Sequence, residues 1–156
     1  MDDLWKMDLA SLKWQWLGGR DYKPSEMGTY SGGPQWPGGR AGPVAAVVPQ
    51  CSSDVYLYMR GGFGFGDHIA LQGRLDDSWL YNVSSGLWRW IGGSASENKY
   101  TLYGSADGSQ DSLGGRAYAT SWIFAPGVET TECGEDGSEV GDMQMLLFGG
   151  SGLANQ

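Results

Sequence analysis

The stretch from Asp76 to Gly93 occurs twice, and that duplication limits what the chain can fold into more than any single residue does. Its copy, Asp2 to Gly19, lies 74 positions earlier and aligns without a gap. The Asp pair, three Trp (Trp5, Trp14 and Trp16 against Trp79, Trp88 and Trp90), one Ser and the closing Gly pair are identical. Trp is a rare residue, so three matches in one short window mark an internal repeat. Each copy alternates in period two. Trp5, Met7 and Leu9 share one face, as do Trp79, Tyr81 and Val83, and after a short turn the two remaining Trp of each copy lie two residues apart. Such a pattern predicts a β-hairpin with stacked aromatics. All six Trp are expected in the core.

The duplication extends further. Gly38-Gly39-Arg40-Ala41 returns 76 residues later as Gly114-Gly115-Arg116-Ala117, each opening a strand, 41–48 and 117–124. Pro43, inside the first, predicts an edge strand. A following strand, 55–60, ends in Gly61-Gly62, and its counterpart, 143–148, ends in Gly149-Gly150. One repeat therefore reads as four antiparallel strands with Gly pairs at fixed places and no helix, the pattern of a propeller blade.

These residues resemble the kelch repeat: a hydrophobic strand ending in Gly-Gly, then Tyr and Trp with six residues between them. Tyr56 to Gly62, followed by Tyr81 and Trp88, carries that pattern, while the first copy has Met7 in place of the Tyr. The resemblance implies an all-β fold built of kelch-type β-propeller blades of four antiparallel strands, named a to d from the axis outward. Residues 1–156 then form a single partial propeller. Strands c and d of one blade fall in 1–19, a complete blade in 38–93, and strands a and b of a third in 114–152. Propellers of this kind close with about six blades, so the ring is incomplete. It implies further blades, from a longer chain or from self-association.

In that strand order the d-to-a loops, 19–37 and 93–113, and the b-to-c loop, 63–75, share one side. Kelch domains typically bind a protein partner there. Tyr22, Tyr30, Trp36, Phe65, His68, Arg74, Tyr100 and Tyr103 are of the types enriched at protein interfaces. Arg40 and Arg116 could receive an acidic motif through bidentate hydrogen bonds, or cap neighbouring carbonyls. Trp36, beside Pro37, is the readiest of these to be packing.

A net charge of −8 disfavours nucleic acid and anionic membranes as partners. No apolar run is long enough to span a bilayer, and the acidic N-terminus reads as no signal peptide. His68 is the single histidine, so no multi-His metal site can form, and no cofactor is expected. The glycine-rich 61–66 lacks the Lys-Ser/Thr of a phosphate loop. The acidic segment 125–142 lacks EF-hand spacing, and a Cys51–Cys133 disulfide is one of two states open to those thiols. Asn82-Val83-Ser84 is a sequon expected to go unused at a strand end. The alternative functions are part of a propeller enzyme, oxidase- or epimerase-like, with catalytic residues outside this chain, and a purely structural segment.

Overall fold

The computed structural model of the protein describes residues 2–19, 27–48, 54–68, 71–104, 112–124 and 144–153. Its elements are all strands: β1 (Leu4–Asp8), β2 (Lys13–Gly18), β3 (Arg40–Ala41), β4 (Val44–Val48), β5 (Tyr56–Gly64), β6 (Gly73–Asn82), β7 (Leu87–Gly92), β8 (Arg116–Ala117), β9 (Thr120–Phe124), β10 (Gln144–Phe148) and β11 (Ser151–Gly152). Every pairing is antiparallel, and the sheets do not close on themselves. The fold is all-β.

The largest sheet runs β3-β5-β6-β7, with β4 also on β5. β3 and β4 are two pieces of one edge strand, broken at Gly42-Pro43, where Gly42 takes positive φ. The same break separates β8 from β9, with Tyr118 where the first copy has Gly42. Both take positive φ, 59° at Gly42 and 60° at Tyr118, and the Tyr118 N–H donates to the Gly42 carbonyl. A Cβ on Gly42 would run into the Tyr118 ring. Tyr118 itself is in a conformation that costs a side-chain-bearing residue about 1–2 kcal/mol.

The two hairpins repeat in detail. Trp5 faces Trp16 and Met7 faces Trp14 across β1–β2, as Trp79 faces Trp90 and Tyr81 faces Trp88 across β6–β7. The register shifts at Leu4/Trp5 in one and at Ser78/Trp79 in the other, the same place after the 74-residue offset. In the hairpin turn Leu12 has φ 56°, where its copy Gly86 has φ 71°. Asn82 Oδ1 accepts the Ser84 and Ser85 N–H groups at that turn, and its amide donates to the Tyr56 hydroxyl (3.0 Å).

Two expectations change. Gly61-Gly62 does not end its strand: β5 continues to Gly64 through a register shift opposite β6, with φ of 64° and 106° at the pair. A Cβ on Gly61 would meet the carbonyls of Leu75 and Arg116, so glycine lets a neighbouring strand approach there. The b-to-c loop is correspondingly shorter, since β6 already starts at Gly73.

Burial is the second change. The core centres on β6, where Leu75, Asp77 and Trp79 are fully buried and Tyr81 nearly so. Trp88 and Trp90 are half-buried. Trp5, Trp14 and Trp16 are 50%, 63% and 50% exposed, not core. The difference is the cover. Residues 28–39 lie over the second hairpin: Tyr30 packs on Trp79 and Trp90 (ring centroids 5.1 and 5.3 Å), and Trp36 meets Trp88 edge-on. Gln35 bridges to Trp88 and accepts the Trp90 N–H. Among the described residues nothing plays that part over the first hairpin.

Candidate functional site

The Asp-x-Trp motif has a local reason. At the register shift the chain turns so that the indole N–H of each Trp donates to the Asp two residues before it, 2.7 Å for Trp5 to Asp3 and 2.6 Å for Trp79 to Asp77. From there the copies diverge. Asp77 is fully buried and takes three further bonds. Arg40 binds it bidentately, Nη1 to Oδ1 at 2.6 Å and Nη2 to Oδ2 at 2.8 Å, and the Tyr30 hydroxyl donates to Oδ2 at 2.8 Å. Arg40 Nε and Nη1 also donate to the carbonyls of Gly38 and Gly61. With side chains 4% and 0% exposed, this is an ion pair with both partners satisfied, the condition under which a buried charge is tolerated. Asp3 is solvated, and the Trp5 indole N–H holds its carboxyl below the usual range.

Burial, reinforced by the Asp77 carboxylate, pushes the Tyr30 phenol far above its ordinary value. The protonated form is therefore favoured in the folded state. Its stability contribution is complete below the unfolded-state value near 10 and is lost as pH rises beyond it, at up to about 1.4 kcal/mol per pH unit. Melting temperature should fall between pH 9 and 11, and Tyr30→Phe should fall less steeply over the same interval. Equal slopes would place the titration elsewhere.

Several residues expected to meet a partner are thus committed inside. Tyr30 and Arg40 are buried around Asp77, because a phenol and a guanidinium are the donors that carboxylate needs. Trp36 is wedged between Trp88 and Gly18, as packing. Arg116 caps carbonyls, with Nη1 on Gly149 (3.0 Å) and Nη2 on Leu113 (3.2 Å). Arg74 reaches the next hairpin and binds the Ser151 carbonyl and hydroxyl. Tyr22 lies outside the described residues, as do Cys51, Cys133 and the acidic segment 125–142.

The loops themselves are brought together. The Gly28 N–H donates to the Gly66 carbonyl, and that of Phe65 to the Gly39 carbonyl. Asp67 N–H donates to Ala95, Gly66 N–H to the Glu97 carboxylate, and Asn98 and Arg74 exchange two bonds. Residues 28–39, 65–68, 71–73 and 94–103 therefore form one rim, at the end of the sheet opposite the turn at 83–86. Of the expected residues, His68, Tyr100 and Tyr103 stand exposed on it and Phe65 is half-buried. Leu71 and Leu102, 58% and 46% exposed, join them. Sequence reasoning passed over both, and over Asp77. The duplicated Asp-x-Trp was the signal for Asp77, while a lone Leu in a loop carries none.

Among the described residues no group of His, Cys, Asp and Glu is placed to hold a metal ion. An apolar cleft of about 260 Å³ lies between the central sheet and β9–β10, lined by Val48, Tyr58, Leu80, Ile123, Gln144 and Met145. No helix is long and apolar enough to cross a membrane, among the same residues. No family model, curated protein or solved structure matches the chain.

Proposed function

We propose that the protein is a protein-binding module of kelch-type blades whose loop rim receives a partner. The four-strand-wide meander from Arg40 to Gly92 supplies one blade, and β9–β10 with β8–β11 the inner half of the next. The carrying observation is the rim itself. Three loops of unlike sequence are tied edge to edge by main-chain hydrogen bonds, and they hold His68, Leu71 and Tyr100 outward. A rigid sheet with apolar and aromatic side chains on its loops suits protein recognition, because little ordering entropy remains to be lost on binding.

Aromatic anchors dominate such interfaces. In affinity capture with the full chain, His68→Ala with Tyr100→Ala should cut recovery of a bound protein by at least ~10-fold. A control at the other end, Ser84→Ala with Leu87→Ala, should leave recovery intact. The opposite pattern would move the binding face to the hairpin turns.

A further inference from the structure

The chain carries one complete Asp–Arg–Tyr node and two unfilled halves of another. Asp3 repeats Asp77, down to the indole bond from the Trp two residues on, but among the described residues it has no Arg and no Tyr hydroxyl. Arg116 repeats Arg40. Its Nη1 binds the Gly149 carbonyl as Arg40 Nη1 binds that of Gly61, yet among the described residues it has no carboxylate, and its Nε is buried without a partner there. Tyr103 stands where Tyr30 does: the bridge Leu102–Ser112 corresponds to Thr29–Trp36, so each Tyr directly follows the first bridge residue. Tyr30 is 9% exposed and Tyr103 is 75% exposed.

The strands show the same complementarity. Among the described residues β1 pairs only with β2 and β10 only with β9, so each keeps one free edge. Those edges correspond to β6 and β5, which pair with each other in the central sheet. The faces beside them are apolar and open, with Trp5 and Trp16 on one side and Leu146 and Phe148 (58% and 76% exposed) on the other. An open strand edge flanked by large hydrophobic side chains is a template for another strand.

We infer that β1–β2 of one copy of this chain docks on β10 of a second copy, completing a four-stranded blade from two chains. The occupant is fixed by the chain's own template, since Asp77, Trp79, Arg40 and Tyr30 show what each open half binds. The register of β5–β6 carries over as Gln144 opposite Asp8, Met145 opposite Met7, Leu146 opposite Lys6 and Leu147 opposite Trp5. In the junction Arg116 of one copy binds Asp3 of the other, and the Tyr103 hydroxyl donates to the same carboxylate. The contact is heterologous: each copy offers its first hairpin and receives at β10, so assembly closes into a ring or continues as a filament. The inference rests on the blade reading above but does not involve the loop-rim partner, so the two fail separately.

Multi-angle light scattering over a dilution series should show the 16.8 kDa chain associating, a closed ring of three copies giving three times that mass. Asp3→Arg alone and Arg116→Asp alone should each weaken association at least ~10-fold, since each places like charges together. Combining the two changes in one chain should restore it, since every junction then pairs opposite charges again. Circular dichroism on each variant separates lost association from lost folding. Should Arg116→Asp fail to fold, Tyr103→Ala, exposed in the single copy, replaces it and should weaken association too.

In a Cys51→Ser, Cys133→Ser background, Lys6→Cys with Leu146→Cys should form intermolecular disulfides under mild oxidation, as directly opposed strand residues can. A monomer at every concentration would overturn the inference. So would association that ignores both charge reversals, or that yields no cross-link at this pair.

Discussion

Replacing Asp77 with alanine is expected to lower the free energy of unfolding by about 3–5 kcal/mol, because it leaves the Arg40 guanidinium buried without its counter-ion. At about 2–4 °C per kcal/mol for a chain of this size, the melting temperature should drop by roughly 6–20 °C. Urea denaturation checks the magnitude. A loss below about 1 kcal/mol would mean that water reaches Arg40 and that the pair behaves as a surface one. The pairing also predicts strong non-additivity. Arg40→Met together with Asp77→Leu should cost less than the two single changes summed, since no charge is then left uncompensated.

The second large effect is a contrast between copies. Trp79→Ala removes a fully buried side chain and should cost about 3–5 kcal/mol. Trp5→Ala is the same change at the same place in the repeat, yet Trp5 is 50% exposed. It should cost less than about half as much when measured at dilutions where the chain is monomeric, because less area leaves water at that site. Equal costs would mean that the first hairpin is covered as fully as the second. The comparison keeps the hairpin and varies what surrounds it, the neighbouring strand β5 and the cover from residues 28–39.

The strands were legible because period-two alternation and a gapless duplication are both local signals. The register shift before each Trp was not legible in this way, although it recurs at the same place in both copies. What was not legible is which face receives a cover. Trp14 and Trp88 hold the same place in their hairpins, opposite Met7 and Tyr81, but residues 28–39 cover only Trp88, through Trp36 and Gln35. The candidate site suffered from the same gap. Tyr and Arg are enriched at interfaces, but they are also what a buried carboxylate requires, and composition cannot tell an Arg facing a partner from one facing Asp77. The exposure of His68 and Tyr100 was legible because loops fall on the surface. Leu71 and Leu102 were missed because an apolar loop residue is read as packing by default.

The contact between Gly42 and Tyr118 imposes an adjacency rule on any stack of these units. The ring of Tyr118 occupies the space a Cβ on Gly42 would need, so a unit with Tyr at this position requires a glycine-bearing unit beneath it. Two Tyr units in succession would collide, and the second copy cannot simply be polymerised in tandem. Alternation satisfies the rule without limit, Gly then Tyr then Gly. A cyclic stack can therefore carry Tyr in at most half of its units, since every Tyr unit needs a glycine neighbour of its own.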